Sequence, residues 1–347
     1  MMARPRVAAL LAAVLSTALG TEAATARTDA ANETDGGIPT VRVGALRFGT
    51  VNWELDVIRE HALGAHHGVH IQTIPLASNS ATHVALQGGS ADVIVSDWVW
   101  VARQRAAGKD YTSVPYSSAV GKLMVRSDSG IERIESLAGR PLGIAGGPVD
   151  KSWLVLRAYL RARDRVAEPA VWLEPKFASP PLLNQLVLRN RLPAVLTFWH
   201  FAARLEGEGL RPLAQISDLL PALGVETPVP LLGWVFYETW AAEHPRAVRG
   251  FLQASYAAKK ILTESNAEWA RLAPLLKART PVIAAALRAA YRAGIPRRFG
   301  TAERTAARRL FAILKREAGT LLTGQVETLE DGVFWPGFQI PGGTARR

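Results

Sequence analysis

The residues best suited to hold a small anion stand where a short apolar run gives way to a helical pattern. Gly146 and Gly147 come just before Asp150 and Lys151. Glycines let backbone amides approach an anion closely, and Asp150 can cap the helix that follows or pair with Lys151. Burial lowers the pKa of a lysine, so Lys151 is a candidate both for charge pairing and for amine attack on a carbonyl. The segment predicts an anion-binding turn, with a plain strand-to-helix turn as the alternative.

Four of the ten tryptophans lie in or one turn beyond predicted loops: Trp53, Trp98, Trp153 and Trp199. A flat conjugated ligand would stack between such indoles and gain contact area at little entropic cost. A single tryptophan is more often a core anchor, but four at one set of loops favour a role in stacking. Trp100 and Trp172 fit the core equally well.

The loops that follow predicted parallel strands supply the remaining candidates. In open parallel sheets, ligands bind beyond the carboxyl ends of the strands, where helix N-termini present free N–H groups. The predicted ligand-binding residues are Phe48, Thr50, Trp53, Asn79, Ser96, Asp97, Trp98, Gly146, Gly147, Lys151, Trp153, Phe198, Trp199 and His200.

Catalytic and metal-binding signatures are largely missing from the sequence. It contains no cysteine, which excludes disulfides, catalytic thiols and a lipidated lipoprotein signal. Phosphate-binding loops of the P-loop type, nucleophile elbows and H-E-x-x-H motifs are also absent. His61, His66, His67 and His70 cluster with a spacing that fits no closed structural site, and whether they bind a metal stays open. We therefore predict that the protein is not an enzyme and that it has no catalytic residue, no resident cofactor and no bound metal.

Strand-like and helix-like hydrophobic patterns alternate along the sequence, and they predict the strands and helices that position these loops. Short β-branched or apolar runs predict strands at 41–46, 69–74, 91–96, 112–116, 122–126, 141–145, 171–173, 194–198 and 231–236. Helical patterns lie between most of them and then dominate the chain, at 53–62, 80–87, 98–106, 150–163, 181–189, 200–206, 245–264, 267–277, 282–293 and 302–317. Strands separated by helices predict an α/β fold with parallel-rich sheets, flanking helices and a helical C-terminal region.

The chain is longer than a single hydrophobic core usually allows, so we expect it to form two lobes. Small residues at 117–121 and prolines within 226–230 mark the best division points. They predict a first lobe of 38–118 plus 230–347, and an inserted second lobe of 119–229. Two chain crossings between lobes would act as a hinge. A single doubly wound sheet is the alternative.

The N-terminus predicts export to the periplasm. Residues 1–26 have the basic start, the short apolar stretch and the small residues of a cleavable signal peptide, and 27–37 form a polar, flexible segment. No later stretch is long and apolar enough to span a membrane. The formal net charge is +11, which favours anionic ligands. Nucleic-acid binding would also explain this charge, but the basic residues form no long tract and export argues against it.

Three motifs resemble type II periplasmic solute-binding proteins, above all the nitrate/sulfonate/taurine class of ABC importers. They are Leu86–Val93, Ile134–Ile144 and Leu192–Leu196, in that order. The third departs from the class at Pro193 and Ala194, where an acidic and a small residue are common. More narrowly, 96–98, 145–153 and 197–200 look like a branch found beside periplasmic quinoprotein alcohol dehydrogenases.

The resemblance implies two lobes that close on a ligand and deliver it to an ABC permease and its ATPase at the inner membrane. It favours pyrroloquinoline quinone as the transported ligand, because the quinone is planar, carries three carboxylates and has an electrophilic carbonyl. An aliphatic sulfonate, nitrate or another small organic anion is the alternative. An enzyme of the same fold, resembling thiamin-pyrimidine synthases, is the alternative of another class, although those enzymes use a cysteine-rich loop.

Overall fold

The computed structural model describes residues 37–163 and 166–341. The predicted signal peptide, and all but the last residue of the predicted flexible segment, lie outside this part of the chain. The strands are β1 (Thr40–Leu46), β2 (His70–Leu76), β3 (Val93–Asp97), β4 (Tyr111–Ser117), β5 (Lys122–Arg126), β6 (Leu142–Ala145), β7 (Pro175–Ala178), β8 (Ala194–Thr197), β9 (Leu210–Gln215) and β10 (Leu232–Tyr237).

Helices connect most of these strands and form the C-terminal third of the chain. They are α1 (Val51–Glu60), α2 (Leu63–His66), α3 (Asn79–Gln87), α4 (Trp98–Ala106), α5 (Lys151–Arg163), α6 (Pro169–Trp172), α7 (Pro180–Leu188), α8 (Trp199–Gly207), α9 (Ile216–Leu219), α10 (Glu238–Glu243), α11 (Pro245–Glu264), α12 (Asn266–Arg271), α13 (Ala273–Leu276), α14 (Pro281–Ala293), α15 (Thr301–Ala318) and α16 (Thr320–Thr323). Short 3₁₀ turns occur at Ile134–Leu137, Pro221–Leu223 and Asp331–Val333. Within the described residues, no helix combines the length and the hydropathy needed to cross a bilayer.

The strands form two five-stranded sheets, which confirms the predicted α/β class. The first has the order β2-β1-β3-β10-β4, and the second has the order β7-β6-β8-β5-β9. β10 runs antiparallel to both of its neighbours in the first sheet, and β5 does the same in the second. The strands of the first sheet lie at 40–117 and 232–237, and those of the second lie at 122–215, between the predicted division points. The two-lobe division itself, with its hinge, stays a prediction.

Local sequence explains where the elements near the site begin. The central strands are almost continuously apolar, as expected for parallel strands covered on both faces. Side-chain caps then start the helices: Ser78 Oγ accepts a hydrogen bond from the Ala81 N–H, and an Asp97 carboxylate oxygen accepts one from the Trp100 N–H. The loops between these strands and helices are therefore short and held at defined positions.

Two edge strands were missed by the sequence prediction, and one predicted strand is wrong. β7 and β9 lie at the edges of the second sheet, and each contains a proline, Pro175 and Pro212. Edge strands tolerate proline and polar residues, so their sequence signal is weak. The strand predicted at 171–173 mostly overlaps α6, because Pro169 at the first helical position favours a helical turn.

The C-terminal helices pack against both sheets. Glu317 of α15 forms ion pairs with Arg157 and Arg161, both on α5, and the Nε atom of each arginine lies 3.3 Å from Glu317 Oε2. One core cluster contains Ile94 of the first sheet together with Leu123 of the second. The helical end of the chain therefore contributes to the core beside each sheet.

Candidate functional site

Loops at the carboxyl ends of strands in the two sheets meet each other. Thr50, which follows β1, and Trp199, which follows β8, line one cavity of about 20 Å³. Asp97 at the end of β3 contacts Lys151, which follows β6. We call the region where these loops meet, at the Asp97–Lys151 contact, the intersheet cleft. The cavity at Thr50 and Trp199 borders it, since Leu232, the strand partner of Asp97, also lines that cavity. This cavity has room for roughly one water molecule.

An ion pair spans the intersheet cleft. Lys151 Nζ donates a hydrogen bond of 2.9 Å to Asp97 Oδ2, while Asp97 Oδ1 accepts the Trp100 N–H at 3.0 Å. Each charged side chain keeps about a quarter of its surface exposed, 26% for Lys151 and 22% for Asp97. The pair therefore joins the N-terminus of α4, beside the first sheet, to the N-terminus of α5, beside the second.

The predicted lowering of the Lys151 pKa is wrong. Burial disfavours the ammonium and would lower the pKa, but the Asp97 carboxylate, helped by Asp150, outweighs burial and holds the Lys151 pKa above its usual value. Burial likewise acts against the Asp97 carboxylate, yet Lys151 holds the Asp97 pKa below its usual value. Lys151 is therefore a charged hydrogen-bond donor and not a free amine.

The glycine turn before α5 has the geometry expected of a helix entry. Gly146 and Gly147 have φ angles of +86° and +85°, which favour glycine. A Cβ atom on Gly146 would also lie 2.8 Å from Asp150 Oδ2. Asp150 caps α5 as predicted, because its Oδ1 accepts the Trp153 N–H at 3.1 Å. Burial raises the pKa of Asp150 to about 6.

His83 is a residue of this site that the sequence analysis left unassigned. Its ring stacks on Trp100, with centroids 4.1 Å apart and planes 10° from parallel, and its Nε2 lies 2.9 Å from Ser96 Oγ. Burial lowers the His83 pKa, although Asp97 opposes this effect. The available signal was the position of His83 on α3, one turn beyond the predicted loop that contains Asn79.

Three of the four tryptophans predicted to stack on a ligand are core residues. Trp53, Trp98 and Trp153 are 4%, 1% and 2% exposed. The Trp98 indole N–H donates to the Pro230 carbonyl at 2.9 Å, and that of Trp53 donates to the Leu275 carbonyl at 3.3 Å. Protein atoms cover the rings of Trp98 and Trp153, so a ligand has no free indole face there, and Trp53 lines a larger cavity outside the cleft. Trp199 is half-buried and borders the intersheet cleft.

The remaining predicted residues separate into different environments. Ser96 is buried beside His83, whereas the Asn79 side chain is exposed. Phe198 packs on a small core cluster of the second sheet. Phe48 is 78% exposed, and with Thr50 and His200 it lines a larger cavity outside the cleft.

Acidification is expected to destabilise the protein through His200. Burial, with a smaller contribution from Arg204, lowers the His200 pKa to about 4, whereas the pKa of an unfolded histidine stays near its usual value of 6.5. Between these values the unfolded chain binds a proton that the folded chain does not. Folding stability should therefore fall as pH falls through this window, by at most about 1.4 kcal/mol per pH unit.

Denaturant unfolding across the same window checks this expectation. His200→Gln should flatten the pH dependence, whereas the control His66→Gln, at an exposed histidine, should retain the wild-type profile. An unchanged profile in His200→Gln would contradict the assignment.

The histidine cluster is not assembled around a metal in the described residues. His61 Nε2 lies 3.1 Å from Glu268 Oε2, with Arg271 on the same carboxylate. In residues 37–163 and 166–341, no group of three or more histidine, aspartate or glutamate side chains is arranged to hold a metal ion.

Comparison with known proteins finds similarity at the level of structure. No protein-family model and no curated relative matches the sequence. The periplasmic aliphatic sulphonate binding protein SsuA from Escherichia coli superposes with a TM-score of 0.67 at 17% identity, covering 86% of this chain and 93% of its own. The alkanesulfonate-binding protein SsuA from Xanthomonas axonopodis pv. citri, bound to MOPS, gives 0.62 at 16% identity, covering 85% and 98%.

An enzyme also appears among these structural neighbours. The desulfurization enzyme DSZB superposes with a TM-score of 0.55 at 14% identity, covering 80% of this chain and 92% of its own. Such low identities establish the fold and leave the activity to be argued from the site. The chain therefore has the two-sheet α/β fold that periplasmic sulfonate-binding proteins share with at least one enzyme.

Proposed function

We propose that this chain is the periplasmic solute-binding component of an ABC importer and that it binds a small organic sulfonate in the intersheet cleft. The ion pair between Asp97 and Lys151 is the observation that carries the proposal. It places a charged ammonium between the two sheets, at the carboxyl ends of their strands, which is where open α/β sheets bind ligands.

The surroundings of Lys151 suit a sulfonate. The ammonium supplies a full positive charge, and the turn at Gly146 and Gly147 leads into the N-terminus of α5, which favours an anion. A sulfonate that enters the cleft competes with Asp97 for Lys151. Taurine carries its own ammonium group, which can replace Lys151 as the partner of Asp97.

Pyrroloquinoline quinone is our second candidate ligand. Its three carboxylates suit the net positive charge, but the structure weakens two arguments made for it. Trp53, Trp98 and Trp153 are buried, and Lys151 is held as an ammonium, which has no lone pair to attack a carbonyl. A sulfonate needs neither stacking indoles nor a nucleophilic amine.

Calorimetric titration tests the proposal with taurine, ethanesulfonate, nitrate and pyrroloquinoline quinone. We expect a sulfonate to bind, and we expect Lys151→Met to weaken its binding at least tenfold, because the variant removes the cationic partner. Lys260→Met is the matched control, since Lys260 is an exposed lysine on α11 and should leave binding unchanged.

Two results would overturn the proposal. If no sulfonate binds at millimolar concentration, the ligand class is wrong; tight binding of the quinone alone would then favour the second candidate. If the bound sulfonate is recovered chemically changed with repeated turnover, the protein is an enzyme and not a binding protein.

A further inference from the structure

A second, much larger cavity lies along α1, outside the intersheet cleft. We call it the outer groove; its volume is about 860 Å³. Its walls come from the loop after β1, one face of α1, the segment from α2 through β2, the start of α8 and the end of α13. The lining residues used below are Arg47, Ile58, Ala65, His200, Arg204 and Lys277.

One end of the outer groove is cationic. Arg47, Arg204 and Lys277 all line it, and within residues 37–163 and 166–341 none of them has a carboxylate within ion-pair distance. Arg204 is fixed by hydrogen bonds of 2.8 and 3.0 Å to the carbonyls of Leu276 and Lys277. Lys277 Nζ lies 4.0 Å from the centre of the Phe48 ring, and Phe48 follows Arg47 in the chain. The three cations therefore line the same end of the groove, without an anionic partner among the described residues.

A buried, unsatisfied polar atom lies at the same end. His200 Nδ1 is shielded from solvent and has no hydrogen-bond partner within the described part of the chain. Buried polar atoms are normally satisfied, so this orphaned ring nitrogen, one helical turn from Arg204, indicates that the cationic end of the groove lacks a polar partner. An anionic headgroup whose oxygens accept hydrogen bonds would supply such a partner to the three cations.

The rest of the groove is lined mainly by apolar residues. Its wall follows α1 toward α2 and the start of β2, and its apolar residues there are Ile38, Leu55, Ile58, Ala62, Ala65, Val69 and Ile71. The ten residues of α1 span roughly 15 Å at 1.5 Å each, which gives the scale of this wall. Among the described lining residues, Asp56 is the carboxylate, and Arg59 and Arg271 neutralise it.

We propose that the outer groove binds a single-chain amphiphilic anion, with its headgroup at Arg47, Arg204 and Lys277 and its alkyl chain along the wall of α1. The cationic end complements the headgroup, and apolar burial of about 0.8 kcal/mol per CH₂ drives the chain into the groove. The ligand of this site is thus longer than the cleft ligand, and the groove is a separate site.

The two sites are separated by aromatic side chains. Trp53 lines the outer groove, Trp199 lines the intersheet cleft, and their rings meet edge to face at 6.0 Å. Only Thr50 lines both cavities among the residues that the structure describes. Variants in the groove should therefore leave binding in the cleft intact.

The test is a calorimetric titration of the full chain with dodecanesulfonate, which is kept below its critical micelle concentration. We expect binding at micromolar concentration, whereas ethanesulfonate, with the same headgroup, should not compete for the groove. Dodecyltrimethylammonium, with the same chain and the opposite charge, should not bind. Equal binding of the cationic probe would overturn the proposal.

Variants separate the headgroup contact from the chain contact. Arg47→Ala and Lys277→Ala should each weaken dodecanesulfonate binding about tenfold, and the control Arg140→Ala, at an exposed arginine near β6, should not. Ala65→Phe should also weaken it, because Ala65 is exposed on the wall and a larger side chain fills the groove. Unchanged affinity in all three groove variants would refute the site.

Two further experiments distinguish this proposal from binding in the intersheet cleft and from binding to a membrane surface. Lys151→Met should leave dodecanesulfonate binding intact; if it abolishes that binding, the probe occupies the intersheet cleft and the outer groove is not a site. Cosedimentation with anionic phosphatidylglycerol vesicles should be weak; strong cosedimentation that Arg47→Ala removes would show that the cations contact a membrane surface instead of a free amphiphile.

Discussion

Lys259→Met is expected to lower the free energy of unfolding by about 3–5 kcal/mol, because it leaves the buried Glu54 carboxylate without its charge partner. Glu54 and Lys259 are 0% and 2% exposed, and Lys259 Nζ donates to Glu54 Oε2. Urea unfolding of the variant and the wild type at neutral pH measures the difference.

The surroundings of Glu54 explain why the cost should be large. Its two oxygens also accept hydrogen bonds from Ser255 Oγ and from Tyr291 Oη, the latter at 3.0 Å, and the Lys259 ammonium lies 3.9 Å from the centre of the Tyr116 ring. Burial lowers the Lys259 pKa, although Glu54 opposes this effect. The charges are therefore stable only as a pair, and removing one leaves the other in an apolar core.

A second variant and a control make this test specific. Glu54→Gln combined with Lys259→Met should lower the free energy of unfolding by clearly less than the sum of the two single changes, because no charge remains buried. Lys260→Met, at the next residue along α11, should stay within about 0.5 kcal/mol of the wild type, since Lys260 is exposed. Strict additivity, or a loss below about 1 kcal/mol in Lys259→Met, would show that the pair is unimportant for stability.

Trp153→Ala is expected to lower the free energy of unfolding by about 3–5 kcal/mol, the usual cost of deleting a buried aromatic side chain. Trp153 lies in the first turn of α5, is 2% exposed, and belongs to the core cluster that also contains Leu123. A ligand-stacking tryptophan would instead lose binding affinity with little loss of stability, so the two roles give opposite results.

The matched control for Trp153 is an exposed aromatic residue. Phe48 is 78% exposed, and Phe48→Ala should change the free energy of unfolding by no more than about 1 kcal/mol, including its contact with the Lys277 ammonium. If Trp153→Ala is as stable as Phe48→Ala and instead loses sulfonate affinity, Trp153 is a ligand contact and our placement of it in the core is wrong.

Much of the fold could be predicted from the sequence because its signals are local. Apolar runs such as 41–46 and 194–198, separated by amphipathic helical patterns, predicted eight of the ten strands in the described residues. Each predicted helix begins within two residues of an observed helix. The edge strands β7 and β9 were missed because their stability comes from pairing with neighbours. Local periodicity carries little information about such strands.

The loops that form the candidate site could also be located from the sequence. Since the carboxyl ends of parallel strands share one edge of a sheet, the loops containing Asp97, Lys151 and Trp199 were expected at the ligand edge, and the structure brings them to the intersheet cleft. The glycine turn and the Asp150 cap depend on only a few consecutive residues, and both were predicted.

Only the tertiary structure decided what each side chain contacts. The sequence placed Trp53 at the end of the loop after the first strand, but Leu275, Trp269 and Tyr291, more than 200 residues away, bury its ring. Lys151 was expected to lose its charge on burial, and an aspartate 54 positions earlier in the chain preserves it. Strand and helix periodicity arises from neighbouring residues, whereas burial and pKa depend on side chains that folding brings from distant parts of the chain.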